Sequence, residues 1–499
     1  MTRGTAGGAP AARRALALAA TLLGACAVGP DYRAPATTLP PQWATEAPWR
    51  AAAPQDSIER GSWWRIFGDA RLDALESSLL EHNATLEQAG EHYAQARALV
   101  RASAAAYFPT LNAGAGALRD RISARRPLGN YAVPNSSTVQ NDFTAGFNVH
   151  YELDLFGGVR RQVEAARAAS EQAAADLANA RLVLTAELAA DYFTLRALDA
   201  EIDVVRQNIA QERRALDFVS ARHDMGVASG LDLAQQQSQL DTTITQIDLL
   251  RVQRAQFEHA LATLTATPAP AFTLAPQTGA LQVPDIPVGV PSDLLQRRPD
   301  VASAERALAV ANAQIGVAKA AYFPSVPLVA GYGSESNVLT SLLTAPANLW
   351  SLGVSATQPL FDAGRIGAGV DFARAGYQGA LAQYRQAVLG AMQEVQDGLS
   401  SLANLQRAAS EAGAAVGSAQ RVVDIANDRY TGGLATYLDV VTAQQALLAN
   451  QRQQVQISGQ QLVAAVFLVK ALGGGWEGMG LPSYTARGAA TAAAISATR

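Results

Sequence analysis

The sequence predicts a mixed α and β membrane protein, internally duplicated, with four barrel strands per chain and very long antiparallel helices. Three observations carry that reading. Residues 143–156 (FTAGFNVHYELDLF) set Phe143, Ala145, Phe147, Val149, Tyr151, Leu153 and Leu155 against Thr144, Gly146, Asn148, His150, Glu152 and Asp154. This alternation is a strand with one oily and one wet face. From Gly157 the composition turns at once to Ala, Leu, Glu, Arg and Gln, strong helix formers, with no proline before Pro268. The same transition recurs at 350–361 (WSLGVSATQPLF), followed by DAGRIGAGVDFARAGYQGALAQYRQ.

The repeat extends to both sides. Upstream, Ala106-Tyr107-Phe108-Pro109-Thr110 returns as Ala321-Tyr322-Phe323-Pro324-Ser325; downstream, DMGVASGLDLAQQQ from Asp224 returns as DRYTGGLATYLDVVTAQQ from Asp428. Each copy reads as helix, two strands, long helix, glycine turn, returning helix.

Charged residues make up 16% of the 499 residues, against roughly 25% in an average soluble protein. A net charge of -4 leaves no clustered basic face, so nucleic acid is not an expected partner. Arg3, Arg13 and Arg14 followed by the apolar Ala15–Leu23 read as an export signal over 1–25. Arg13-Arg14 is also compatible with twin-arginine export. Leu23-Gly24-Ala25-Cys26 resembles the bacterial lipobox, which makes Cys26 the expected lipidation site and first residue of the mature chain; an unmodified cysteine inside a signal is the alternative. Cys26 is the only cysteine, so neither an intramolecular disulfide nor a cysteine metal site can form. Beyond the signal no window approaches 18 uninterrupted apolar residues, and a membrane role then requires a barrel.

Residues 26–68 are proline-rich and read as an extended arm, with Trp63 and Trp64 as packed anchors. The first repeat spans 69–265. Asp69 caps a helix expected to run to Tyr107, strands follow at about 108–118 and 143–156, and the helix tip lies at about 224–231. In the long helix Leu188, Tyr192, Leu195, Ile202, Val205, Ile209, Leu216 and Val219 keep a nearly 3.5-residue spacing, a coiled-coil-like seam. Residues 266–290 are a proline-rich linker. The second repeat, 291–473, has strands at about 323–333 and 350–361 and a tip at about 431–436. Its long helix contains Gly390, Gly398, Gly413 and Gly417, read as points of close helix packing. Arg297 and Arg298 could form a basic ligand patch, but Pro299 and Asp300 favour a helix start with the arginines pairing beside it. The tail, 474–499, is expected to be disordered.

Four strands of membrane length cannot close a barrel, which needs at least about eight. Strands must therefore be pooled between copies, and the helices that continue from them form a tube, which describes a conduit. The duplicated AYFP, the LLQRRPDVASAE run from Leu294, the QPLFDAGR run from Gln358 and RYTGGLATYLDVVTAQQ from Arg429 resemble the outer membrane efflux proteins. These are the TolC-like factors of Gram-negative tripartite pumps; the likeness is greatest to the lipoprotein branch of OprM and NodT and covers nearly the whole chain after Cys26. The resemblance implies a homotrimer with a twelve-stranded β-barrel in the outer membrane lipid and an α-helical periplasmic tunnel. It also implies docking to a periplasmic adaptor protein and an inner-membrane pump, of the RND type, that exports drugs or other small toxic molecules. A type I protein-secretion conduit shares the fold and stays open, as does, from another class, a secreted coiled-coil or adhesin stalk. A periplasmic hydrolase would need a nucleophile that no residue supplies; no cofactor is expected.

The tips hold the expected functional residues. Gly226 and Gly230 in the first and Gly432 and Gly433 in the second allow sharp reversal; with Val227 and Leu434 they are the expected adaptor contacts. By resemblance, Asp232, Asp439 and Tyr430 match the aspartates and tyrosine that close the periplasmic entrance in TolC-like proteins. Ala435 stands where a gate-linking arginine occurs there and Thr442 where a second ring aspartate does, so the closed state is expected to use other links. His82, His92, His150, His223 and His259 lack metal-ligand spacing.

Overall fold

The computed structural model describes residues 27–35, 62–125, 137–279, 282–284, 286 and 298–474. The signal, Cys26 and the tail after residue 474 lie outside the described residues, as do most of the arm and residues 294–297. A 3-10 turn at Trp63–Phe67 leads to helices α1 (Ala70–His82) and α2 (Ala84–Ala104) and strands β1 (Thr110–Ile122) and β2 (Thr138–Glu152). Helices α3 (Gly158–Asp224), α4 (Gly230–Leu264) and α5 (Pro299–Ala320), strands β3 (Pro327–Ser336) and β4 (Asn348–Val354), and helices α6 (Arg365–Thr431) and α7 (Tyr437–Ala471) follow. The chain divides into two compact units. One holds the described residues of Met1–Pro35, Ala94–Glu171 and Glu305–Gln383; the other those of Ala36–Tyr93, Gln172–Ala304 and Tyr384–Arg499.

The first unit contains one antiparallel sheet in the order β1-β2-β3-β4, so β1 and β4 are its edges. Register sorts the side chains onto two faces. Leu111, Val149, Ala330 and Leu352 form one cross-strand row, and Ala113, Phe147, Tyr332 and Trp350 the next on the same face. The opposite face carries the rows Asn112, Asn148, Gly331, Ser351 and Gly114, Gly146, Gly333, Leu349. A Cβ on Gly333 would lie 2.5 Å from the Ala145 carbonyl oxygen, and one on Gly146 would lie 2.8 Å from that of Tyr332. β2 and β3 thus close toward each other on the wet face, where only hydrogen fits.

The strand bounds differ from the expected ones. The β1–β2 ladder continues to Ile122 paired with Thr138, through polar residues whose pairing leaves no apolar alternation to read. β2 ends at Glu152 and β4 at Val354, before the Pro359 that cannot donate to a ladder. Both strand-to-helix junctions use one device. Asp154 accepts from the amides of Val159 (3.0 Å) and Arg160 (2.9 Å), and Asp362 from those of Gly364 (2.9 Å) and Ile366 (2.8 Å). Gly157 and Gly364 take positive φ, 81° and 85°. Each aspartate satisfies orphan amides at the start of a 67-residue helix, a length of about 100 Å.

In the second unit the seam of α3 is buried but for the half-buried Leu216: Leu188, Tyr192 and Leu195 join one core cluster, Ile202, Val205 and Ile209 another, and Val219 a third. Trp63 and Trp64 belong to the first of these, and the indole of Trp63 donates to Thr185 Oγ1 (3.2 Å). Asp69 caps α1 as expected. The single helix expected from Ala70 to Tyr107 is instead broken at Asn83. Its Oδ1 caps the amide of Leu86 (3.0 Å) and its Nδ2 reaches the Leu264 carbonyl (2.8 Å), and residues 105–107 form a 3-10 turn. A Cβ on Gly398 would lie 3.3 Å from Leu468 Cβ, which marks a close helix contact, whereas one on Gly390 would meet nothing within 4 Å. Arg298 is buried, pairs with Asp300 and Glu394 and donates to the Ala471 carbonyl (3.0 Å); it is a structural arginine.

Candidate channel gate at the helix tips

The two helix reversals share one construction. After α3, Gly226 takes φ 74°, its amide donates to the His223 carbonyl (2.8 Å), and the Val227 amide donates to that of Arg222 (2.8 Å). After α6, Gly433 takes φ 70°, its amide donates to the Tyr430 carbonyl (3.1 Å), and Leu434 donates to Arg429 (2.8 Å). A left-handed residue closing a helix favours glycine because it lacks Cβ. The expectation that four glycines serve this purpose is corrected to two. Gly230 is the first residue of α4, and Gly432, whose amide donates to the Asp428 carbonyl (3.0 Å), stays out of positive φ.

Each returning helix starts on a cap. Asp232 accepts from the Ser229 amide (3.3 Å) while Ser229 Oγ accepts from the Asp232 amide (3.2 Å). Asp439 accepts from the Thr436 amide (2.9 Å) and hydroxyl (2.8 Å). Holding a carboxylate at a helix N-terminus satisfies orphan amides and the helix dipole together.

Of the three candidate gate residues the fold brings two together. The Tyr430 hydroxyl donates to Asp232 Oδ2 at 3.3 Å, linking α6 to α4. Asp439 bonds only to Thr436 among the described residues. The Tyr430 ring is buried, packs edge-on against Tyr437 at 4.9 Å and lies 5.3 Å from the Arg222 guanidinium. Burial, then the neighbouring Asp232 charge, pushes the Tyr430 phenol above its ordinary range, with Arg222 opposing.

Behind this link lies a polar layer that the sequence reading missed. Tyr437 donates to Gln236 Oε1 (2.7 Å), and Gln236 donates to the Glu212 carbonyl (2.9 Å). Gln239 (3.1 Å) and Thr243 (3.0 Å) donate to Glu212 Oε1. Glu212 Oε2 has no partner among the described residues, and burial raises its carboxyl despite those two bonds. Spacing held a signal: Tyr437 follows Tyr430 by seven residues and Gln236 follows Asp232 by four, placing Asp232 and Gln236 on one helix face. Thr442 bonds back to the Leu438 carbonyl of its own helix (2.8 Å).

Around the turns Met225, Val227, Leu231, Leu434 and Leu438 are all exposed, an apolar collar on two polar-capped reversals. The histidines are all exposed, and no group of metal-ligating side chains occurs among the described residues. The arrangement offers breakable polar links between helices.

The sequence model described as outer membrane efflux protein matches residues 75–267 and 290–474. The chain belongs to the outer membrane efflux protein family. It is 33% identical over 460 residues to the pyoverdine export outer membrane protein OpmQ of Pseudomonas aeruginosa, covering 92% of this chain and 96% of that one. It is 32% identical over 480 residues to the toluene efflux pump outer membrane protein TtgF of Pseudomonas putida, covering 95% and 98%. Its fold matches the solved outer-membrane channel OprN with a TM-score of 0.83 and 29% identity, over 90% of this chain and all of that one. The function is that of an outer membrane efflux channel, in a family of channels rather than enzymes.

Proposed function

We propose that three copies pool their strands into one twelve-stranded barrel and act as the passive outer membrane conduit of a tripartite pump exporting drugs or other small toxic molecules. The observation that carries this reading is the sheet. It has an apolar face, a glycine- and asparagine-lined face and two edges, β1 and β4, that are unpaired among the described residues, and open edges of this kind call for further strands. Each chain is anchored through acylated Cys26. The apolar collar at the tips is the docking surface for a periplasmic adaptor, which couples the channel to an inner-membrane pump of the RND type. Side-view electron microscopy of detergent-solubilised protein tests the assembly. A threefold particle with a tube on the order of 100 Å below a detergent belt is the expected image; a compact monomer or a beltless rod would overturn the conduit.

The gate is read as Asp232, Tyr430 and Asp439 in three copies, opened when adaptor contact spreads the tips. Tyr430–Asp232 is the link to be broken, and Asp439 contributes a ring of three carboxylates that favours cations. Asp439→Asn keeps an acceptor for the Thr436 amide while removing the charge. It is expected to lower cation-over-anion selectivity in a planar bilayer; an unchanged reversal potential would remove Asp439 from the gate.

A further inference from the structure

The first described residues of the chain are held by a purpose-built groove at the strand-to-helix junction. The Val28 amide donates to the Phe156 carbonyl (3.1 Å). Arg161, near the start of α3, donates to the Val28 carbonyl through Nε (3.3 Å), and through Nη2 to the Gly29 carbonyl (3.3 Å) and the Asp31 carboxylate (2.8 Å). Asn312 of α5 donates to the Pro30 carbonyl (2.9 Å). The Tyr32 hydroxyl bonds to Glu305, and its ring lies 5.6 Å from the Arg306 guanidinium.

Three glycines make the groove fit. A Cβ on Gly29 would lie 2.5 Å from Gly316 Cα, one on Gly157 would lie 2.9 Å from Ala27 Cα, and one on Gly316 would lie 2.7 Å from Arg161 Cγ. Arg161 is itself buried, with Glu164 as a second carboxylate partner at 2.7 Å. An extended terminal segment with no bonds of its own ordinarily frays; here five consecutive residues, 28–32, each bond to fixed partners.

The location is equally specific. Phe156, which follows β2, stacks on Phe323, which precedes β3, with ring centroids 4.8 Å apart. Tyr107, Phe108, Tyr151 and Tyr322 lie at the same end of the strands. Aromatic side chains collected at one end of barrel strands mark a membrane–water boundary. Ala27, packed on Gly157, is one peptide bond from Cys26.

We infer that Arg161 and Asn312 form a latch that receives residues 27–32 and fixes the acylated amino terminus at the aromatic boundary, so that the acyl chains enter the adjoining leaflet at a set depth. The inference rests on the reading of Cys26 as the acylated residue. Arg161 is a positioning residue: it spans two carbonyls and a carboxylate, which the single ammonium of lysine cannot match. The anchor is thereby attached to a rigid part of the fold.

The test uses the full chain carrying a nitroxide on Arg33→Cys, an exposed position, with Cys26 blocked by its own acylation. The parent is expected to give an immobilised spectrum, with collision by oxygen and by an aqueous nickel chelate placing residue 33 at the boundary. Arg161→Met should raise the ratio of mobile to immobile label about tenfold, since it removes charge-assisted bonds, while the mass of the N-terminal peptide still shows acylation. Arg161→Lys should fall between, and Asn312→Leu, which leaves the ion pairs intact, should mobilise the label even if Arg161→Met does not fold. Cys26→Ser, exported behind a signal cleaved by the general signal peptidase, should remain immobilised. Unchanged mobility in Arg161→Met and Asn312→Leu, or a Cys26→Ser chain as mobile as Arg161→Met, would overturn the latch. An unacylated parent would overturn the anchor reading and its depth, whereas the latch is decided by mobility alone.

Discussion

Gly333→Ala is expected to remove most of the assembled channel from the outer membrane, although it adds a single methyl group. The added Cβ would sit 2.5 Å from the Ala145 carbonyl oxygen and 2.9 Å from Gly146 Cα. Both contacts are backbone of the paired strand β2, and Gly333 is registered directly against Gly146. Overpacking where neighbours can yield costs about 1–3 kcal/mol. Here yielding means breaking the ladder or flattening the curvature, so the cost lies at or above the upper end, and it recurs in every copy that contributes strands.

Gly331→Ala is the matched control. Its Cβ would meet Ser351 Oγ at 3.0 Å and Asn148 Oδ1 at 3.3 Å, both ends of side chains that can rotate away. The fraction of heat-modifiable oligomer in outer membranes, compared with total protein, reads the difference. A Gly333→Ala chain that assembles as well as Gly331→Ala would show that the glycine row does not set the curvature of the sheet.

The faces of the sheet were legible because the side-chain period is two and one face is apolar; the register then falls on Phe147, Tyr332 and Trp350. The ends were not, because Thr138–Asp142 pair without any hydrophobic alternation and the break at Pro359 is felt several residues earlier. The break at Asn83 escaped because it is decided by a partner far along the chain, the Leu264 carbonyl. At the tips the glycines were visible, but composition alone cannot tell a left-handed Gly226 from a helical Gly230. The Tyr430–Asp232 link is a contact between residues 198 apart in sequence and reached the reading only through resemblance. Arg161 is indistinguishable in sequence from the many other arginines of the helices; its role depends on three separate chain segments meeting.

The largest pH effect is expected at Glu76 of α1. Its side chain is fully buried, neither carboxylate oxygen has a partner among the described residues, and it shares a helix face with Leu72 and Leu79, both fully buried core residues. Burial, reinforced by the charge of Asp73 and opposed by Arg181, raises its carboxyl from 4.5 to about 9. The native state therefore keeps a proton that the unfolded chain releases above its ordinary value. The stabilising contribution of this group is complete below pH 4.5 and is lost as pH climbs toward 9, at a rate of up to about 1.4 kcal/mol per pH unit. Glu76→Met, similar in volume and without charge, removes that slope. Melting of the helical signal in detergent, at one scan rate, should fall between pH 5 and pH 8 in the parent and stay level in Glu76→Met. The two should nearly coincide at pH 5, where the parent acid is neutral, and the variant should melt several degrees higher at pH 8. A parent whose melting does not respond to pH, or a variant that keeps the parent's slope, would mean that Glu76 is ionised and paired in the native channel.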